Sequence, residues 1–84
     1  MAIRVRIPSA LERYSGGERE LGSEAATVGE ALSGLPAALR ERVLDESGRL
    51  RSHLLVFVGD REATLSDPLS DGDLVEIVGA VEGG

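Results

Sequence analysis

Asp71-Gly72-Asp73-Leu74-Val75-Glu76-Ile77-Val78 is a turn followed by a strand. Asp-Gly-Asp favours a tight reversal, because the acidic side chains bond nearby backbone and glycine takes positive φ freely. The five residues after it are apolar apart from Glu76, which fits a strand inside a sheet. Everything upstream must supply the neighbours for this strand.

At the other end of the chain, Ile3, Val5 and Ile7 alternate with Arg4 and Arg6. This period of two marks a half-buried strand. Pro8 stops it, since proline cannot donate to a ladder. Ser15-Gly16-Gly17 reads as a turn, and Glu18 to Ser23 as the returning strand with Leu21 facing inward. Thr27-Val28-Gly29-Glu30 has the spacing of a capping box. A helix is expected from Val28, with Leu32 and Leu35 on its inner side, and a second short helical stretch from Pro36 to Asp45. Ser47-Gly48 ends it. Leu54 to Val58 is an apolar run of strand length, Gly59-Asp60 a turn, and Arg61 to Thr64 a short strand.

The order is ββαβ(β)β. A hairpin, a helical crossover and further strands place the first and last strands side by side and parallel. This is an α+β arrangement, the β-grasp or ubiquitin-like fold: a mixed sheet of four to five strands with one main helix on one face. A ferredoxin-like sandwich needs a second full helix late in the chain, and Pro68 argues against one between Ser66 and Ser70. The expected division is a domain over 1–78 and a flexible tail over 79–84.

Bulk properties narrow the function. The 84 residues make one domain, with a hydrophobic fraction of 42% that suffices for one modest core. That favours a binding or carrier role over a self-contained enzyme. There is no cysteine, so no disulfide, zinc-thiolate site or cysteine nucleophile is available. The net charge of −6 and the aromatic content of 2% argue against nucleic-acid binding. All basic residues are arginine, so the chain cannot form lysine-linked chains with itself. No signal peptide or membrane-length apolar run is present in the sequence, and a cytoplasmic, monomeric protein is expected. His53 is the only histidine and supports no metal or triad reading. Asp71 and Asp73 are read as turn residues rather than cation ligands. No bound cofactor is expected.

The chain finishes Gly79-Ala80-Val81-Glu82-Gly83-Gly84. Six extended residues reach roughly 20 Å at about 3.3 Å each, enough to carry a terminal carboxylate clear of the domain. Two residues without Cβ can thread a channel too narrow for side chains.

The segment Asp71 to Gly84 resembles the C-terminal signature of the MoaD/ThiS sulfur carriers: a turn, a hydrophobic strand, a short apolar tail and Gly-Gly. Ile3 to Pro8 with Leu11 and Ser15-Gly16-Gly17, then Glu41 to Asp45, Gly48-Arg49-Leu50 and Leu54 to Asp60, resemble the CysO-type subgroup. The resemblance implies that Gly84 is adenylated by an E1-like enzyme of the MoeB/ThiF type, using ATP bound to that enzyme. It further implies conversion of Gly84 to a thiocarboxylate, whose sulfur passes to a sulfur-accepting synthase in cysteine, molybdopterin or related biosynthesis. Gly83, Glu82, Val81 and Ala80 would thread the enzyme. The chain already ends in Gly-Gly, so no trimming is expected. Gly79-Ala80 stand where the family often has proline, which implies a looser tail. Glu82 replaces a small residue, either as a selector for a complementary arginine or as a tolerated exposed change. Gly59 stands in for a turn asparagine.

Leu55, Phe57 and Val78 are expected on the open sheet face, as a patch that docks the activating enzyme. The alternative is that residues 36–52 fold over it. Arg4 and Arg6 share that face, free for a partner or paired with Glu76. Two other functions remain open: a ubiquitin-like modifier joined to target lysines through Gly84, and the small subunit of a molybdopterin-synthase-like complex.

Overall fold

The computed structural model describes residues 2–79. Five strands, β1 (Ile3–Arg6), β2 (Glu20–Ser23), β3 (Leu54–Val58), β4 (Arg61–Glu62) and β5 (Leu74–Gly79), form one mixed sheet in the order β2-β1-β5-β3-β4. β1 and β5 are parallel neighbours, with Val5 opposite Val75. β3 runs antiparallel to β5, with Val56 opposite Ile77. The β-grasp arrangement expected from the sequence is therefore present, with β5 at its centre. Ala2 fastens this junction: its N–H donates to the Asp71 carboxylate at 2.6 Å, and its carbonyl accepts from Gly72 at 2.8 Å.

Two short helices cover one face, α1 (Val28–Ser33) and α2 (Ala37–Val43). They are the helix expected from Val28 and the second helical stretch expected after Pro36, and they are of nearly equal length. The division falls at Gly34-Leu35-Pro36: proline disfavours helical backbone in the residue before it and lacks the N–H that would continue the ladder. Thr27 caps α1, accepting from the Glu30 N–H at 3.2 Å. The reciprocal leg of the box slips by one residue, as the Glu30 carboxylate takes the Ala26 N–H at 3.0 Å.

The first-turn donors of α1 are satisfied from the opposite side. Val28 N–H bonds the Asp67 carbonyl and Gly29 N–H the Leu65 carbonyl at 2.8 Å. This close approach explains a glycine inside a helix: a Cβ on Gly29 would lie 3.0 Å from the Leu65 carbonyl oxygen. Pro68 bridges to Thr27, so the stretch before β5 is bound as a strap across the helix start.

The inner face is a single core. Ile3, Val5 and Ile7 meet Val28 and Leu32 from α1, Leu39 and Val43 from α2, and Val56, Val75 and Ile77 from the sheet. Each of the ten is nearly or fully excluded from solvent. One element lies beyond what the sequence reading resolved: a 3-10 helix over Ser9–Tyr14 fills the hairpin connection. Residues three apart eclipse in such a helix, so Leu11 and Tyr14 both rest against the core. Gly16 and Gly17 (φ 75° and 94°) then turn the chain into β2. Gly59 has φ 66°, the left-handed backbone expected of the turn between β3 and β4.

Three carboxylates are held ionised by the fold. The side-chain hydrogen bond from Arg6 lowers Glu20 below its ordinary value of 4.5. Backbone N–H groups, of Arg49 on Asp45 and Thr64 on Asp67, lower those residues below 3.8. Each binds a proton more readily unfolded than folded, so its stabilisation is complete above the unfolded value and lost as pH falls through the folded one. We predict a urea midpoint that is level from neutral pH to about 5 and then declines, with a shallower decline in Glu20→Gln. An unchanged acid slope in that variant would refute the assignment to Glu20.

Candidate functional site

The site is built around the end of β5. Gly79 is its last residue and pairs with Leu54, the first of β3. The sequence-predicted carrier residues Ala80, Val81, Glu82, Gly83 and Gly84 lie outside the described residues. The structure describes the platform from which they depart.

Alternation along β3 and β5 sorts the side chains as expected. Leu54, Val56 and Val58 point to the helices and are buried, while Leu55 and Phe57 are half-buried on the opposite face. Register places Leu55 beside Val78 and Phe57 beside Glu76. Leu55, Phe57 and Val78 are thus brought together next to the tail root. Leu74 shares the face, by the same period of two that places Glu76 and Val78 there, and was missing from the expected patch. None of these four packs against the core. Residues 36–52 do not cover them: Leu39, Val43 and Leu44 are committed to the core on the helix side.

Arg4 and Arg6 lie on this face too, and Glu76, one of the alternatives expected for them, is not the carboxylate they take. Glu20 on β2 takes both. Arg6 donates to it through Nε at 2.9 Å and Nη2 at 2.6 Å, and Arg4 Nη1 stands 3.5 Å away. Glu20 lies directly opposite Arg6 in the β1–β2 pair. Both nitrogens of the guanidinium edge converge on one carboxylate oxygen, and the bond raises the Arg6 pKa, with Glu76 contributing only by its field. Cross-strand pairing across β2, β1, β5, β3 and β4 thus lines up Glu20, Arg6, Glu76, Phe57 and Glu62 in one row. The apolar patch has an acidic flank, and its two arginines are already engaged. Finding Glu20 required the register of β1 on β2, which alternation within one strand does not contain.

Asp71 and Asp73 act as turn residues: Asp71 holds the Ala2 N–H and Asp73 the Ser70 N–H. Among the described residues no three His, Asp or Glu side chains gather as a metal cluster, and no helix is long and apolar enough to cross a membrane.

A parallel pair of terminal strands, a helix-covered inner face and an open face beside the departing C-terminal segment define a ubiquitin-like domain. The comparisons make this specific. The chain is 33% identical over 93 aligned positions to the sulfur carrier protein CysO of Mycobacterium tuberculosis, covering all of both chains. The CysO of an Amycolatopsis orientalis BexX/CysO complex superposes with a TM-score of 0.83 at 32% identity, over 99% of this chain and 100% of that one. SAMP1 of Haloferax volcanii gives 0.85 at 28% identity over the whole of both. No protein-family model matches the chain. The chain belongs to the CysO family of ubiquitin-like sulfur carrier proteins.

Proposed function

We propose that Gly84 is the sulfur-bearing residue and that the chain is a protein co-substrate without catalysis of its own. A carboxylate is a poor electrophile, so its oxygen first attacks the α-phosphorus of ATP and pyrophosphate leaves. The resulting acyl adenylate has a good leaving group. A persulfide sulfur attacks the carbonyl, AMP departs, and a second thiol cleaves the acyl disulfide to free the thiocarboxylate. An E1-like enzyme of the MoeB/ThiF type supplies the ATP site. A sulfur-accepting enzyme, in cysteine biosynthesis by the likeness to CysO, consumes the product. A cytoplasmic setting, where ATP and thiols are abundant, suits this chemistry.

The observation that carries this reading is the uncovered Leu55–Phe57–Val78 patch at the tail root, in a chain aligned to CysO end to end. The patch docks the activating enzyme, and residues 80–84 enter its active site. The test is intact mass after incubation with the cognate activating enzyme, ATP and a sulfur donor. Exchange of one oxygen for sulfur adds about 16 Da. No gain with any E1-like partner would defeat the proposal.

Phe57→Ala is expected to leave the fold intact, since Phe57 does not pack on the core. It should lower kcat/KM for loading about five- to thirty-fold, the loss of ~1–2 kcal/mol usual for an aromatic anchor at an interface. A folded variant loaded at the parental rate would remove the patch from the interface.

The structural likeness to SAMP1, a small archaeal modifier protein in related solved structures, favours one second reading. In it, the activated Gly84 passes to a lysine of another protein. Conjugates of higher mass that form without a sulfur donor would support it.

A further inference from the structure

The charge of the chain is unevenly placed. Residues 36–53 carry four arginines against three carboxylates, net +1, while the remainder carries five against twelve, net −7. Arginines 4, 6, 19 and 61 each lie within reach of a carboxylate. Arg42 and Arg51, among the described residues, make no such direct pair, although the field of Arg51 reaches Asp45. Arg51 Nε donates to the Glu41 carbonyl at 2.9 Å, which fixes the guanidinium without neutralising it. Arg42 lies over the Tyr14 ring, 4.6 Å from its centroid, a cation–π contact that likewise leaves the charge in place.

These two arginines, His53 and one carboxylate, Glu41, line a cleft of about 620 Å³ between the 3-10 helix and α2, together with Ala10, Leu11 and Tyr14. The cleft has a fixed relation to the tail root. His53 immediately precedes Leu54, the strand partner of Gly79. The open sheet face flanks that root with apolar and acidic side chains, and the cleft reached through His53 carries two arginines against one glutamate.

We infer that the Arg42–Arg51–His53 cleft is a second docking site, taking an acidic segment of a protein partner and separate from the Phe57 face. Two guanidiniums on different anchors, the Tyr14 ring and the Glu41 carbonyl, suit two carboxylates on a chain better than a single small anion. The acidic remainder of the molecule repels such a segment elsewhere, so complementarity directs it to this corner. A carrier handed between partners gains from having two surfaces at one tail. The inference stands on this charge distribution and is independent of the chemistry at Gly84.

The test is an amide-shift titration of the full chain with an oligoglutamate peptide of about six residues, beside sodium phosphate at matched ionic strength. Saturable shifts are expected at residues 11–14, 42 and 51–53, with the peptide binding at least about tenfold more tightly than phosphate. Arg42→Glu/Arg51→Glu should abolish them. Arg42→Gln/Arg51→Gln, which keeps much of each stem, should weaken them about tenfold with the amide spectrum otherwise unchanged. Absence of peptide shifts, shifts spread equally to Arg4, Arg6 and Arg61, or equal binding of phosphate would each overturn the site. Loading of Gly84 is not read in this titration, so a negative result leaves the carrier function standing.

Discussion

A chain shortened by Gly84 is expected to take up no sulfur under conditions that add about 16 Da to the full chain. The shortened chain still ends in a glycine carboxylate, so the functional group is unchanged. Only its position differs, by one residue or about 3.3–3.8 Å along an extended segment. Adenylation and sulfur attack both need the carbonyl aligned with its reactant, and an error of ~1 Å can cost about a hundredfold. The domain that presents it, residues 2–79, is untouched, so the melting temperature should not move. A chain lengthened by one alanine beyond Gly84 should fail equally, because the carbonyl of Gly84 would then be an amide. Sulfur gain by either variant would show that the enzyme does not measure distance from the domain.

Leu32→Ala is expected to give the largest loss of stability. Leu32 is fully buried in α1 and belongs to the core between helices and sheet. Truncation removes apolar contact and leaves a cavity, a cost of about 2–5 kcal/mol. A chain of 84 residues holds a total of only ~4–13 kcal/mol at 0.05–0.15 per residue. The variant should therefore lose from about a sixth to nearly all of its resistance to urea, and much of the population should be unfolded if the parent lies at the low end and the cost at the high end. Leu32→Met, which nearly keeps the volume, should cost under about 1.5 kcal/mol. Equal midpoints for the alanine variant and the parent would mean that α1 contributes little to the core.

Much of this architecture was legible in the sequence, because each legible part rests on a local rule. Ile3 to Ile7 alternate, Thr27 and Glu30 have capping spacing, and Gly59 stands where positive φ is needed. Pro36 marks the break between α1 and α2. The hidden parts depend on distant partners. The 3-10 helix of Ser9–Tyr14 forms because Leu11 and Tyr14 can both reach a core assembled elsewhere. Arg6 has a carboxylate on either side in its row, and only the register and the reach of Glu20 decide between them. The arginine-bearing cleft joins residues 10–14 to 41–53, which meet only once α2 packs on the 3-10 helix. For the site, the open-face triad was readable from period two, while the residues from Ala80 onward rest on resemblance and on the proposed chemistry.

The position of β5 bears on how the chain is made. Arg4 and Leu74 are paired, so closing that contact joins segments about seventy residues apart, at an entropic cost of ~4 kcal/mol plus a constant. Before β5 arrives, β1–β2 and β3–β4 are two separate hairpins with no shared edge, and a lone two-stranded hairpin is marginal in water. A nascent chain on the ribosome therefore has little sheet until its last strand is synthesised. The surface formed by Leu55 and Val78 does not exist in an incomplete or misfolded chain. On the proposed docking, an enzyme that binds there before engaging residues beyond Gly79 would spend ATP on finished molecules only, and the topology itself would act as the inspection step.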